Sequence, residues 1–418
     1  MSDNKQEGYR LREQRFFDAI ALQEPDRVPI IEPSTNSFAY YYSGYTQAEI
    51  LYNLDKTKDA IRRYLLDFDI DSGHSFGGVM EGQGLILEKA QSKVYYWPGM
   101  PGEVFDKNLV RQFIEFPLLQ DDELELLSGD VSGALLAKAL PRQSGLVGPL
   151  AQLDLDSLVY PGPNLDALAA FAAHPEAKVM FERLVELGEM KQQYSQQQAE
   201  FAAEVEELGY PVMAAGKALI AFDSYSEYLR GTMGAGADLY EHPEIARAYL
   251  DRHSRIACAA IRANAVPGRI VTIPMHKGMD GLMSDEHYAE FYWPYLLELV
   301  QAIIAVDMTP YVYTEGPYST RLKYLEQLPP GKCIVHIEEV DMALAKSVLG
   351  PIACLSGNFP AYTLVDSTKQ QVIDQVKALL DVCAPGGGYI FDLDSGLHDY
   401  PPENVAAMFE TVKEYGKY

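Results

Sequence analysis

Three things are scarce in this chain: cysteine, basic charge and long apolar runs. Its four cysteines stand singly between Cys258 and Cys383, without a C-x-x-C or H-x-C pair. This spacing excludes a disulfide framework and a thiolate metal motif, and it favours a reducing compartment. Lys and Arg number 34 against 60 Asp and Glu, a formal charge of −26, so nucleic acid and anionic membranes are unfavourable partners.

The chain also lacks long apolar segments and an early glycine-rich phosphate-binding motif. No window of 18 residues is apolar throughout, and the first residues, MSDNKQEGYRLREQ, carry no apolar stretch behind a basic end. We therefore expect a cytoplasmic protein without a membrane span. No G-x-G-x-x-G follows an early strand, which is unfavourable for a dinucleotide-binding sheet.

What the chain has is ample core material and an alternation of short apolar runs with segments of helical period. Of the 418 residues, 48% are hydrophobic, and the carboxyl-terminal half predicts strands separated by helices, as in repeated β-α units. Ser284 and Asp341 are predicted N-caps of two of these helices. The five strands are RIVTIPMH (269–276), TPYVYTEG (309–316), CIVHIEEVD (333–341), IACLSGNF (352–359) and GYIFDLDSG (388–396).

Polar side chains follow these strands where each one ends, namely His276, Glu315, His336 with Glu338, Asn358, and Asp392 with Asp394. Right-handed crossovers make such strands parallel, so their carboxyl ends meet at one end of the fold. An open doubly wound sheet would concentrate its chemistry at one switch point, whereas a (β/α)8 barrel places its site around this whole end. The sequence therefore predicts a (β/α)8 TIM barrel.

The amino-terminal half predicts further strands at 26–33, 67–73, 146–153 and 210–222 and helices at 10–25, 46–66 and 189–208. The aromatic and acidic segment from about 80 to 140 is interpreted as an elaboration over the barrel. With no repeat or low-complexity linker, we expect one domain over 1–418, a barrel with amino-terminal and loop elaborations.

Histidine and carboxylate side chains at these strand ends are the candidate catalytic groups. His276 can act as an acid, a base or a ligand, and alternation along its strand places His336 and Glu338 on one face with Ile334. Together with Glu315 and Asp392 they could hold Zn²⁺ with an open coordination position, or form a metal-free acid/base site. The alternative for each residue is structural, as a polar cap or a hydrogen-bonded core side chain.

Several stretches resemble the uroporphyrinogen decarboxylase superfamily, which includes corrinoid-dependent methyltransferases. They are RFFDAIALQEPDRVPII (15–31), AFDSYSEYLRG (221–231), HPEIARAYLDR (242–252), MSDEHYAEFYWPYL (283–296), SGNFPAYTL (356–364) and APGGGYIFDLDSGLHDYPPENVAAM (384–408). The resemblance covers nearly the whole chain, and it implies a (β/α)8 barrel.

Two departures from the superfamily's sequence patterns indicate which branch of the superfamily this chain resembles. The true decarboxylases have an arginine-rich motif after the first strand that binds substrate carboxylates, whereas the matching stretch here, IIEPSTNSFAYYY (30–42), has no Arg or Lys. The thiolate zinc ligands of the thiol methyltransferases are replaced by Tyr313, Glu315 and Ser395. The chain is more similar to the methyltransferase components of O-demethylase systems.

That resemblance implies a methyltransferase that moves a methyl group from a small methoxylated substrate, with aromatic compounds included, to a separate corrinoid protein. The catalytic residues would be His276, Glu315, His336 and Asp392, and the last three of these would be the Zn²⁺ ligands. Tyr313, Glu338, Asn358 and Asp394 would contact the substrate, and a homodimer would be in keeping with such families. The alternatives are a decarboxylase of a smaller carboxylate, anchored by Lys277 and Arg321, and a non-catalytic ligand-binding barrel.

Overall fold

A computed structural model of the chain describes residues 3–31, 36–74, 81–102 and 106–418. The strands are β1 Tyr95–Tyr96, β2 Gln112–Phe113, β3 Ala214–Lys217, β4 Ile270–Met275, β5 Thr309–Thr314, β6 Ile334–Ile337, β7 Cys354–Gly357 and β8 Tyr389–Ile390. Six parallel strands form the main sheet, in the order β3-β4-β5-β6-β7-β8, and a short antiparallel hairpin, β1-β2, lies apart from them.

Two extended segments, 28–31 and 70–73, close this sheet into a ring. Ile30 forms a parallel bridge with Phe391, just after β8, and the amide of Asp71 donates to the carbonyl of Ile30 at 3.1 Å. The amide of Gly73 donates to the carbonyl of Pro211 at 2.7 Å, shortly before β3. The eight segments form the (β/α)8 arrangement that the sequence predicted.

Helices follow the barrel strands, as the hydrophobic periodicity predicted. The α-helices are Asp3–Ile20, Phe38–Tyr42, Gln47–Tyr52, Leu54–Phe68, Gly84–Ala90, Leu126–Gly129, Val131–Ala134, Leu140–Gln143, Leu155–Val159, Leu165–Ala173, Pro175–Glu207, Ala221–Tyr225, Gly231–Glu241, Pro243–Ala263, Asp285–His287, Trp293–Ile304, Leu322–Leu325, Met342–Leu349, Thr363–Asp366, Lys369–Cys383 and Pro402–Tyr415. Short 3₁₀ turns lie at Asp121–Glu123, Gly148–Gln152 and Ser319–Arg321, and π-turns at Leu135–Ala139, Ser226–Arg230 and Tyr288–Tyr292.

Local sequence signals account for several helix starts and for one wrong prediction. The side chains of Ser284 and Asp341 cap their helices by accepting from the amides three residues later, as predicted. The strand predicted at 146–153 is instead the 3₁₀ turn Gly148–Gln152. Pro149 explains the difference, because it lacks the N–H that a strand ladder needs and fits the first turn of a helix.

Two hydrophobic layers surround the strands. The inner one joins residues early in the strands, such as Ile270, Tyr311 and Ile334, to Phe16 and Ile20 of the first helix. The Asp3–Ile20 helix therefore covers the amino-terminal end of the barrel and leaves the carboxyl end for chemistry.

The second layer lies between the strands and the surrounding helices, and it includes Cys333, Val335 and Ile337. Ile334 belongs to the inner layer, so the alternation predicted for β6 is confirmed. Within the described ranges, no helix is long and apolar enough to cross a membrane.

The connection between segment 70–73 and β3 is much longer than the others. It contains the β1-β2 hairpin, several short helices and the 33-residue helix Pro175–Glu207. The elaboration predicted at about 80–140 falls within this connection, although residue 80 and residues 103–105 lie outside the described ranges.

Candidate functional site

The carboxyl ends of the parallel strands, called the barrel mouth below, gather polar side chains from neighbouring strands. Lys217 is the last residue of β3, and His276 and Glu315 directly follow β4 and β5. β4 and β5 are paired in parallel along their whole length. His276 and Glu315 are therefore neighbours, as strand-end residues of adjacent parallel strands must be.

His276 is held between two carboxylates. Its Nδ1 is hydrogen-bonded to the carboxylate of Glu227, and its Nε2 lies 3.2 Å from a carboxylate oxygen of Glu315. The Glu227 side chain is 9% exposed and the Glu315 side chain 44% exposed. One carboxylate is thus fixed inside the protein, and the other faces the opening.

This arrangement makes the imidazole of His276 a cation at neutral pH. Burial lowers its pKa, but hydrogen bonds and charges from Glu227 and Glu315 outweigh burial and raise the pKa to about 10. Both ring nitrogens then carry protons and donate, Nδ1 to Glu227 and Nε2 toward Glu315. The site can deliver a proton from Nε2 to a bound molecule.

A further carboxyl group, Asp223, lies behind His276. It is completely buried, and it accepts hydrogen bonds from the Tyr292 hydroxyl at 2.9 Å and the Lys277 amide at 3.0 Å. Burial raises the pKa of Asp223 to about 7, with the charge of His276 lowering it and that of Glu227 raising it. Protonation of Asp223 near neutral pH limits the negative charge around His276.

His336 and Asp392 form a separate, buried cluster with Tyr311. The Tyr311 hydroxyl donates to Asp392 at 2.8 Å and lies 3.1 Å from Nδ1 of His336, while His336 and Asp392 are 3.4 Å apart. Tyr313 stacks on the His336 ring with 3.9 Å between centroids. Among the residues that the structure describes, none forms a hydrogen bond with Nε2 of His336. The side chains of His336 and Asp392 are buried, so this cluster is enclosed within the barrel.

The predicted zinc ligands therefore do not meet at one point. Glu315 contacts His276 at the mouth, whereas His336 and Asp392 contact each other and Tyr311 inside the barrel. Within the described ranges, no group of three or more His, Cys, Asp or Glu side chains is placed to hold a metal ion. The presence of zinc stays a prediction that metal analysis of the purified protein checks.

The other predicted substrate contacts bind the backbone of nearby loops. Glu338 accepts a hydrogen bond from the Gly316 amide, and burial raises the pKa of Glu338. The Asn358 amide donates to the carbonyls of Glu338 and Val340 at 3.1 and 3.0 Å. Asp394 accepts from the Ala361 amide at 3.0 Å. Their contact with a substrate stays a prediction.

The two cations named as carboxylate anchors for a decarboxylase are already engaged. Lys277 Nζ binds Glu115 and the Thr232 hydroxyl, both at 3.0 Å. Arg321 is buried and binds Asp285 at 3.0 Å together with the carbonyl of Met283. Neither side chain is free to anchor a substrate.

Sequence reasoning missed Asp223 and Glu227 because it examined only strand ends. Both lie in AFDSYSEYLRG, after β3, in the helix Ala221–Tyr225 and the π-turn Ser226–Arg230. The signal was present: two acidic residues four positions apart in an aromatic, apolar segment share one helix face. Carboxylates in such surroundings need a partner, and His276 is that partner.

Comparison with known proteins gives a family and a fold. The family model described as Uroporphyrinogen decarboxylase (URO-D) matches residues 182–415. The uroporphyrinogen decarboxylase of Geobacter metallireducens is 27% identical over 176 residues, covering 42% of this chain and 50% of the relative. That of Anaeromyxobacter dehalogenans is 25% identical over 182 residues, covering 43% and 50%. The chain therefore spans about half the length of these curated relatives.

A solved structure, a methyltransferase from Methanosarcina mazei, superimposes on nearly the whole chain. The TM-score is 0.59 at 14% sequence identity, and the match covers 97% of this chain and 98% of that one. At this identity the likeness supports the fold, in agreement with the ring of eight parallel segments.

Proposed function

The chain belongs to the uroporphyrinogen decarboxylase family, and from this premise we propose that it is a methyltransferase. It would remove the methyl group from a small methoxylated aromatic substrate held in the barrel mouth and pass it to a corrinoid carried by a separate protein. The observation that carries the proposal is the position of His276, with Nδ1 hydrogen-bonded to Glu227 and Nε2 3.2 Å from Glu315. The methyltransferase from Methanosarcina mazei, which shares the fold, supports it in general terms.

An ether needs a proton donor because its oxygen is a poor leaving group. As the bond between the methyl carbon and the oxygen breaks, its electron pair stays on the oxygen, which takes the proton from Nε2 of His276. A phenol has a pKa of about 10, close to the value of about 10 that Glu227 and Glu315 give to His276. Donor and leaving group are thus matched for proton transfer.

The two glutamates have different tasks in this reaction. Glu227, with its side chain 9% exposed, keeps the ring oriented through Nδ1 and stabilises its positive charge. Glu315, with its side chain 44% exposed, stays beside the ring as the second negative charge while the substrate oxygen approaches Nε2. The corrinoid, when its carrier docks, supplies the nucleophilic cobalt that accepts the methyl group.

The first-strand region supports a substrate other than a porphyrinogen. IIEPSTNSFAYYY (30–42) contains no Arg or Lys, although residues 32–35 lie outside the described ranges. A substrate with many carboxylates would find no cation there to neutralise it. A smaller ligand with at most a few charges is favoured.

The test is transfer of methyl groups from methoxylated aromatics to chemically reduced cobalamin, followed by the absorbance of the cobalt. The full chain should show transfer, and His276→Gln should lower its rate by about 10²- to 10⁴-fold, the usual contribution of a positioned acid. His174→Gln is the matched control, because His174 is exposed at the start of the Pro175–Glu207 helix. Loss of a carboxyl group from the substrate as CO₂, without methyl transfer, would replace this proposal with decarboxylation.

A further inference from the structure

Two cations near the barrel mouth have no carboxylate partner in the described part of the chain. The side chain of Lys217, the last residue of β3, forms no hydrogen bond or ion pair with the described residues. Arg111 immediately precedes β2, and its Nε is buried without a hydrogen-bond partner. The Arg111 guanidinium lies 5.2 Å from the centre of the Tyr95 ring.

Contacts of the β1-β2 hairpin bring Arg111 to the same end of the barrel as Lys217. The ring of Phe113, in β2, lies 5.7 Å from that of Tyr228 in the π-turn that follows β3. Two residues further on, Glu115 binds the Thr232 amide at 2.6 Å and Lys277, which follows His276. The hairpin thus lies against the segments that leave β3 and β4.

Lys217 itself lies beside an opening. All four residues of β3 are exposed to solvent, whereas β6, β7 and β8 are buried throughout. Surrounding protein atoms lower the pKa of Lys217, the positive charge of Arg111 lowers it further, and the charges of Glu315 and Glu81 raise it. Lys217 and Arg111 lie at the end of the barrel where the β1-β2 hairpin packs on the segments that leave β3 and β4.

Two other cations near the barrel mouth, unlike Lys217 and Arg111, are paired with carboxylates. Lys277 is paired with Glu115, and Arg321 is paired with Asp285. Two like charges without hydrogen-bonded partners raise the free energy of the folded protein. An anion that bridges them would remove this cost.

We propose that Lys217 and Arg111 bind a carboxylate group of the ligand. Arg111 offers a planar donor pair and Lys217 a point charge, a combination that suits one carboxylate. A monoanion is favoured over a dianionic phosphate, because Glu81 and Glu315 lie near Lys217 and would repel the second charge. The inference rests on the proposed function in one respect: the methyl donor becomes a methoxylated carboxylate.

The strand register sets the distance between Lys217 and His276 that such a ligand must span. Lys217 pairs with Thr272 of β4, four residues before His276. At about 3.3 Å per residue, their backbones are roughly 13 Å apart along the strand. The lysine side chain spans part of this distance, and one aromatic ring spans the rest, with its carboxylate at Lys217 and its ether oxygen at His276.

The experiment is calorimetric titration of the full chain with 3-hydroxybenzoate, which has no methyl group to transfer, and with the neutral 3-hydroxybenzyl alcohol. Lys217→Met and Arg111→Met should each weaken benzoate binding about 10- to 100-fold, as expected for a lost charge-assisted hydrogen bond, and leave binding of the alcohol unchanged. Lys332→Met and Arg262→Met are matched controls, since both side chains are exposed and Lys332 lies just before β6, at the opposite end of the barrel.

Equal benzoate affinities in the wild type and both variants, or no benzoate binding by the wild type, would overturn the inference. Tighter binding of inorganic phosphate than of benzoate would overturn the choice of a carboxylate. Benzoate binding that depends on both cations, with no methyl transfer to reduced cobalamin, would keep the anion site and reject the proposed methyltransferase. The two proposals can therefore fail separately.

Discussion

Replacing Glu227 by Gln tests whether His276 is a cation because two carboxylates hold it. The substitution preserves the size of the side chain and its ability to accept a hydrogen bond at Nδ1, but it removes one negative charge. The pKa of His276, raised to about 10 in the wild type, should then fall toward the ordinary histidine value of about 6.5.

The size of the fall follows from burial. An opposite charge within about 4–6 Å shifts a pKa by about 1–3 units, and Glu227 is hydrogen-bonded to His276 with a side chain only 9% exposed. We therefore expect a fall of about 1–3 units in Glu227→Gln. Glu315→Gln should give a smaller fall, because water screens the half-exposed Glu315 more strongly.

Nuclear magnetic resonance titration of the His276 ring measures this pKa directly, with His276→Gln used to assign its signal. The alkaline limit of methyl transfer should move to lower pH by the same amount. An unchanged His276 pKa in Glu227→Gln would refute the reasoning, and with it the acid role given to this histidine.

The same shift predicts how stability depends on pH. A histidine whose pKa is raised on folding stabilises the folded protein fully below its unfolded pKa of about 6.5, and the effect is lost as the pH rises through about 10. Urea unfolding should therefore show a larger difference between wild type and Glu227→Gln at pH 6 than at pH 10. Equal differences at the two pH values would contradict the assignment.

Three substitutions test the barrel itself by urea unfolding. Asp71→Asn should lower the free energy of unfolding by about 3–5 kcal/mol, because it leaves two partly buried arginines without their shared carboxylate. Asp67 is exposed, so the control Asp67→Asn should leave the free energy of unfolding nearly unchanged. Gly387→Ala should cost more than Gly386→Ala: both residues have positive φ, but only at Gly387 would a Cβ lie 2.3 Å from a backbone oxygen. Tyr311→Phe should lower the free energy of unfolding by about 1–3 kcal/mol, since the Tyr311 hydroxyl contacts the buried His336 and Asp392. An unchanged free energy of unfolding in Asp71→Asn, Gly387→Ala or Tyr311→Phe would contradict the contact that the variant tests.

Hydrophobic alternation was sufficient to predict which residues of β6 face inward. Along β6 it separates His336 from Val335, and the structure confirms that Val335 packs between strand and helices. Alternation does not predict how deeply an inward-facing side chain is buried in the barrel or which side chains it contacts. His336 is fully buried beside Tyr311, whereas His276 meets a helix-borne carboxylate at the opening.

The amino-terminal half shows the limits of the same reasoning. The strands predicted at 26–33 and 67–73 are present as the extended segments 28–31 and 70–73, but their composition did not indicate that they pair through only a few hydrogen bonds. Arg111 lies far along the chain from the barrel strand that ends in Lys217, and only the fold of the connecting hairpin brings the two charges together. Periodicity carries no information about such contacts between distant elements.

The ring closes through a bridge between Ile30 and Phe391, and this has a consequence for synthesis of the protein on the ribosome. Segment 28–31 can pair with the strand region at Phe391 only after nearly all of this sequence has left the ribosome. Until then, the edges of the unfinished sheet offer unpaired N–H and C=O groups to other chains. Because such distant pairing is slow, we expect newly made chains to depend on chaperones that shield those edges.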